Sequence, residues 1–161
     1  DVRAMGRNAH GVRGIRLREE DEVVGMDNLK KNGEVLSVTE AGYGKRTPIG
    51  DYRKSRRGTQ GVIAIDTGER NGALVAVALV ADSDELMLMT TAGQSVRIKV
   101  ATVRETGRAT QGVKLMTLNE GESIQDISIV IPDDEDEEAP AETEDAGAGE
   151  VSGEMETPAE E

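Results

Sequence analysis

The sequence predicts an all-β fold: a partial, propeller-like array of four-stranded antiparallel blades, followed by a disordered acidic C-terminal tail. Three observations predict it. Landmarks recur with a period of about fifty residues. Short apolar runs alternate with glycine-containing turns, and no stretch shows a sustained helical apolar period with caps. The chain has no Phe, Trp or Cys, so its core must consist of Val, Ile, Leu, Met and Ala, which favour sheets.

Two independent landmarks carry the period. The pattern Arg, three residues, Arg, three residues, Gly-Val begins at Arg3, Arg53 and Arg104, which gives offsets of 50 and 51. The pattern Thr, two residues, Gly, three residues, Arg begins at Thr39 and Thr90, again 51 apart. Because both landmarks share one period, chance is a poor explanation, and the chain is predicted to be a structural repeat.

Each full period is predicted to hold four strands. Residues 35–39 and 86–90 are apolar runs that end at a glycine turn, where glycine accepts a positive φ at no steric cost. Residues 95–100 alternate between apolar and polar or basic side chains, which is typical of a half-buried strand. The remaining strands are predicted at 62–65 and 113–118 and at 74–80 and 124–131.

Charge divides the chain into a body and a tail. Residues 132–161 hold 14 of the 32 acidic residues and none of the 19 basic ones, so this tail is predicted to be disordered. A sharper hypothesis is that the tail acts as a tethered competitor for the basic surface of the body. The body, residues 1–131, is nearly neutral, and we divide it into a half blade at 1–26 and blades at 33–80 and 84–131.

Basic side chains recur in phase with the predicted blades. In a radial array they would form a curved stripe along one rim, which contacts phosphates without reading bases. With Tyr43 and Tyr52 as the only aromatic residues, no stacking platform for single strands is expected, so duplex DNA is the favoured partner. The predicted DNA-binding residues are Arg3, Arg7, Arg13, Arg16, Lys45, Arg46, Arg53, Lys54, Arg56, Arg57, Arg97, Lys99, Arg104, Arg108 and Lys114.

Two alternatives to DNA binding stay open. Arg7, Arg57 and Arg108 could bridge neighbouring blades through carboxylates or backbone carbonyls. The array could also be a protein-interaction module whose arginines only join the blades.

Residues for catalysis are not found in the sequence. His10, the only histidine, aligns with Gln60 and Gln111 in the repeat, so we interpret it as an ordinary loop residue. No phosphate-binding Gly-Lys-Ser or Gly-Lys-Thr loop and no metal-ligand spacing occurs. The sequence also has neither an apolar run of about 18 residues nor a signal peptide, so we expect no membrane partner and a cytoplasmic location.

Several motifs, in order, resemble the late blades of the C-terminal domain of the DNA gyrase A family. They are VRAMGRNAHGVRGIRL (2–17), GYGKRTP (42–48), GTQGVIAI (58–65), ERNG (69–72), DELMLMT (84–90) and GRATQGV (107–113). The resemblance covers essentially all of residues 1–131, and it implies part of a β-pinwheel that wraps double-stranded DNA. An acidic tail is also typical of that family.

The resemblance further implies a parent enzyme. That enzyme would be an ATP-hydrolysing type II DNA topoisomerase, an isomerase that adds negative supercoils to the bacterial chromosome, built from two copies each of gyrase A and gyrase B. ATP and Mg²⁺ would belong to that holoenzyme, and this segment itself is expected to need no cofactor. We expect the chain to be a fragment of the longer gyrase A protein.

One departure concerns the diagnostic box of the family, Gln-Arg-Arg-Gly-Gly-Lys-Gly, which lies in the first blade. Only a degenerate echo occurs here, at Arg56, Arg57, Gly58 and Gly61. The related domain of topoisomerase IV is therefore an alternative, and the motif at 42–48 and the acidic tail favour gyrase.

Overall fold

The computed structural model describes residues 2–28 and 33–131. These residues contain seven β-strands in two antiparallel sheets and two single-turn 3-10 helices, Ile49–Asp51 and Val100–Thr102. The strands are β1 (Glu34–Thr39), β2 (Tyr43–Pro48), β3 (Leu74–Val80), β4 (Glu85–Thr90), β5 (Ser95–Lys99), β6 (Val113–Lys114) and β7 (Ile124–Val130). The predicted all-β class is confirmed, and the predicted tail at 132–161 lies outside the described residues.

The two hairpins β1–β2 and β4–β5 repeat each other. Leu36 lies opposite Arg46 in the first hairpin, and Met87 lies opposite Arg97 in the second, 51 residues later in each strand. Gly42 and Gly93 occupy the same place in the two turns, with φ angles of 78° and 81°. Because side chains rarely adopt that conformation, both turns depend on glycine.

The last strand of each repeat pairs beside the first strand. β3 pairs with β1 and β7 pairs with β4, so the sheet orders are β3-β1-β2-β6 and β5-β4-β7. A register shift falls between Val38 and Thr39 and again between Met89 and Thr90, at equivalent positions of the repeat. The period seen in the sequence is therefore also a period in the hydrogen-bonding register.

The structure differs from the prediction in two places: the half blade predicted at 1–26, where residues 2–28 form no strand and only the bridge of Ile15 with Thr59, and the third strand of each predicted blade. Residues 62–65 form no strand, and β6 is short and pairs with β2 of the preceding repeat, Gly44 opposite Val113. The cause is backbone hydrogen bonding: the Leu115 N–H donates to the Gly42 carbonyl at 2.8 Å, which draws the later segment onto the free edge of β2. A four-stranded sheet is thus completed by the next repeat.

The core lies between the two sheets and is aliphatic, as predicted. Leu36, Val38 and Val80 come from the first sheet, and Leu86, Leu88 and Ile124 come from the second. Val100 and Val103, which follow β5, complete this cluster, and each of the eight side chains is at most 2% exposed. Within the described part of the chain, no helix is long and apolar enough to cross a membrane.

Candidate nucleic-acid interface

Three loops at the same place in successive repeats carry exposed arginines. Arg3 and Arg7, Arg53 and Arg57, and Arg104 are all exposed. None of them takes part in the three ion pairs found among the described residues. The alternative in which Arg7 and Arg57 bridge blades through carboxylates is therefore not found in the described part of the chain.

Arg108 is the partial exception. Its side chain is half-buried, and Nη1 donates to the backbone carbonyl of Asp51 in the preceding repeat at 3.1 Å. This contact matches the bridging alternative, through a carbonyl rather than a carboxylate.

Two backbone seams hold the second and third of these loops in place. In the first seam, which joins residues 12–16 to 56–59, the Gly58 N–H donates to the Gly14 carbonyl (2.7 Å) and the Arg16 N–H to the Thr59 carbonyl (2.9 Å). The second seam joins residues 63–66 to 107–110 with equivalent bonds, at 3.2 and 3.0 Å. Each seam also contains one parallel bridge, Ile15 with Thr59 and Ile65 with Thr110.

A groove opens at the first seam. It has a volume of about 650 Å³ and is lined by Val12, Arg13, Arg56, Arg57 and Gly58. Its three arginines were predicted separately as DNA-binding residues, and the structure brings them together across the seam. No acidic side chain is among these lining residues.

Lys45 corrects the predicted set, because it is completely buried. Its Nζ donates to the Gly107 carbonyl (2.6 Å) and to Thr110 Oγ1 (3.1 Å), both in the loop of the next repeat. Burial lowers the pKa of Lys45; the nearby charge of Arg108 acts in the same direction and the Asp51 carboxylate opposes it. Lys45 therefore fastens one repeat to the next and presents no charge to the surface.

Arg46 is the second correction. Only 8% of its side chain is exposed, and its guanidinium binds Glu34 at 2.6 Å, Asp82, and the Val103 carbonyl at 2.7 Å. Two acids and a carbonyl satisfy its charge, so it does not lie on an exposed rim. Burial and the neighbouring Glu105 carboxyl raise the pKa of Glu34, while Arg46 opposes them.

The other predicted basic residues lie on the surface. Arg16, Lys54, Lys99 and Lys114 are exposed. Arg97 forms an ion pair with Glu85 while 48% of its side chain stays exposed. Lys114 also lies 5.8 Å from the centre of the Tyr43 ring, within reach of a cation–π contact.

Two residues at the joint between the last two repeats, Arg70 and Asn71, are not among the residues predicted from the sequence. Asn71 is buried, and its Nδ2 donates to the carbonyls of Asp66 and Gln111, each at 2.7 Å. Arg70 stacks 4.3 Å from the centre of the Tyr43 ring and donates to the same loop. The one available signal was the ERNG turn itself, which was interpreted only as a link between strands.

The described ranges 2–28 and 33–131 contain no candidate metal site. No group of three or more His, Asp or Glu side chains there could hold a metal ion. His10 is exposed, in a loop position as predicted.

Fold and surface together define a class: a radial β-repeat domain with strand exchange between repeats and unpaired arginines on recurring loops. The family model described as the DNA gyrase C-terminal domain, beta-propeller, matches residues 1–30, 33–81 and 84–131. The chain belongs to this family.

Similar curated proteins are gyrase A proteins of bacteria. The chain is 48% identical to the DNA gyrase A of Neisseria gonorrhoeae and 47% identical to that of Staphylococcus aureus strain NCTC 8325, each over 138 residues. These matches cover 83% and 84% of the chain but only 15% and 16% of the relatives. The chain therefore spans about a sixth of the length of these relatives.

Solved structures show the same fold. A DNA gyrase A C-terminal domain matches with a TM-score of 0.74 and 29% identity, covering 81% of this chain and 44% of that one. The C-terminal domain of DNA topoisomerase IV matches with a TM-score of 0.73 and 24% identity, covering 81% and 41%. The second likeness concerns the fold alone, so the sequence identities favour gyrase A.

Proposed function

We propose that the body of this chain binds double-stranded DNA along its arginine loops without reading base sequence, and that it helps to wrap DNA in the parent gyrase. The recurrence of exposed arginines without carboxylate partners on three equivalent loops, two of which the seams hold in place, is the observation that supports this most. Guanidinium groups bind phosphate oxygens through paired hydrogen bonds. Contacts of that kind depend on the backbone and not on the bases.

Wrapping requires DNA to bend. Bending a site of about 20–30 base pairs by about 40–90° costs on the order of 1–6 kcal/mol, which several phosphate contacts can offset. Loops that recur at fixed geometry on a curved array distribute such contacts along the bend. This is the physical link between the repeat and the proposed wrapping.

In the parent protein, this wrapping would support ATP-dependent negative supercoiling on the bacterial chromosome in the cytoplasm. The partners would be a second copy of gyrase A and two copies of gyrase B. ATP and Mg²⁺ would be bound outside this chain.

Binding should be tested with the full chain and 30-base-pair duplexes of several sequences, at four or five salt concentrations. We expect the logarithm of the binding constant to fall linearly with the logarithm of salt, by about 0.9 per phosphate contacted. Affinity should be the same for all sequences at a given salt. Binding that ignores salt, or that discriminates strongly between sequences, would contradict the proposal.

A further inference from the structure

The two seams have the same backbone hydrogen bonds but different charge: the first is strongly positive and the second is neutral. The first seam carries Arg13 and Arg16 on one side and Arg56 and Arg57 on the other. The equivalent positions of the second seam hold Ile63, Asp66, Gly107 and Arg108. Four positive charges therefore correspond to one positive and one negative charge, and the guanidinium of Arg108 already donates to the Asp51 carbonyl.

The two seams are structurally equivalent, because their backbones have the same conformation at equivalent positions. Gly58 has a φ of 70° in the first seam, and Ala109, at the same place in the second, has a φ of 52°. Ala109 is the one non-glycine residue of the described chain in this left-handed region. Because the backbone is the same, any difference in what the seams bind must come from their side chains.

Arginines gathered in one groove repel each other unless an anion lies between them. Arg13, Arg56 and Arg57 line the first-seam groove from both sides, and none of them is in an ion pair among the described residues. The side chain of Arg13 crosses the seam, since its Cδ lies 4.0 Å from where a Cβ on Gly58 would be. The groove thus presents three guanidinium groups from two repeats to an anion.

We propose that the first-seam groove is a phosphodiester clamp: Arg13 on one repeat and Arg56 and Arg57 on the next bind the same backbone phosphate of DNA. This rests on the proposed DNA binding and assigns its strongest contact to a junction between repeats. A phosphate shared in this way also ties the two repeats together, so bound DNA stiffens this joint. The second seam, which lacks the arginines, has no such clamp.

A double-mutant cycle with the full chain tests the shared phosphate. We expect Arg13→Gln and Arg57→Gln each to weaken binding of a 30-base-pair duplex about tenfold, as charged hydrogen bonds to one ligand would. The double variant should lose much less affinity than the product of the two single fold losses, because the first substitution already releases the shared phosphate. Arg13→Gln combined with Lys99→Gln, in the last sheet, should lose the full product.

A gain-of-function variant keeps the proposal independent of folding defects. Ile63 is 67% exposed, and a Cβ on Gly107 would meet only Asp51 Oδ2 at 4.0 Å, so Ile63→Arg with Gly107→Arg fits the second seam without steric overlap, and Asp51→Asn is added in the same chain to remove the carboxylate that would pair with the new arginine. This pair should build a second clamp and raise duplex affinity about threefold to tenfold at fixed salt. An unchanged affinity would count against the clamp.

The outcomes separate the clamp from DNA binding itself. In one outcome, the wild-type chain binds duplex while the fold losses in affinity of Arg13→Gln and Arg57→Gln combine as a full product, as in the control pair. In that case the clamp is overturned and DNA binding stands. If the wild-type chain binds no duplex, DNA binding and the clamp both fail.

A titration with inorganic phosphate, followed by NMR of the arginine Nε–H groups, is the last experiment. If the arginine signals saturate with inorganic phosphate but do not respond to duplex, the groove binds a free anion and the DNA assignment is overturned.

Discussion

β2 and β5 are the same strand of the repeat in two different surroundings. On β2, Arg46 has 8% of its side chain exposed and is held by two acids and a carbonyl. On β5, the equivalent Arg97 has 48% exposed and binds Glu85, which is itself the repeat equivalent of Glu34. The ion pair is the same, but only the first is covered by the next repeat.

The role of a basic residue therefore depends on whether a neighbouring repeat covers it. Residues 103–106 and β6 lie along β2, where the Arg46 N–H donates to the Arg104 carbonyl and the Thr106 N–H to the Arg46 carbonyl. β5 is the edge of its sheet in the described structure. A covered arginine joins repeats, and an uncovered one is free to meet solvent or an anion.

The largest effect is expected from Arg46→Gln. Its loss leaves Glu34 and the Val103 carbonyl without their partner in a buried site, which should lower the free energy of unfolding by about 2–3 kcal/mol. The matched change on β5, Arg97→Gln, removes a largely solvated pair and should cost less than about 1 kcal/mol. Urea unfolding of both variants measures the difference, and equal losses of unfolding free energy would contradict the contrast between the covered and the uncovered arginine.

A second contrast concerns Gly44 and its repeat equivalent, Ser95. A Cβ on Gly44 would meet Leu115 Cδ1 of the next repeat at 2.5 Å and the Ser37 carbonyl oxygen of β1 at 2.8 Å. Gly44→Ser should therefore cost about 2 kcal/mol through overpacking. Ser95→Gly, on the open strand, should cost less than about 1 kcal/mol through weaker strand propensity. Thermal or urea unfolding distinguishes them, and a tolerated Gly44→Ser would mean that β6 does not lie against β2 in solution.

The smallest effect is a pH dependence at Glu34. Because burial and Glu105 raise its pKa in the folded chain, the native state takes up a proton before the unfolded state does as pH falls from neutral. Stability should then rise, relative to Glu34→Gln, as pH falls through the raised pKa towards the ordinary value of 4.5. Urea unfolding of both proteins from pH 7 downwards measures this difference. A wild-type chain that instead loses stability relative to Glu34→Gln would show that Arg46 outweighs burial.

The sequence was sufficient for the period, the hairpins and the aliphatic core, because these depend on local patterns. It could not place β6, since a period says where a strand recurs but not which sheet it joins. The sequence predicts Lys45 and Arg46 as surface cations, because charged side chains are usually exposed. The recurrence of Glu34 with Arg46 and of Glu85 with Arg97 indicates an ion pair in each hairpin, but it does not indicate which pair the next repeat covers.

The arginines of the candidate site could be predicted singly but not as a group. Arg13 and Arg57 are far apart in the sequence, and only the hydrogen bonds of the first seam bring them to one groove. The seam is a backbone feature, and side-chain patterns do not reveal it.

The placement of β6 also determines how cooperatively the body unfolds. By sequence β6 belongs to the last repeat, yet by hydrogen bonding it belongs to the sheet before it. Melting the last repeat would strip its neighbour of an edge strand, so the energetic coupling between adjacent units is strong. The two sheets share one core, so residues 33–131 should unfold in one cooperative transition.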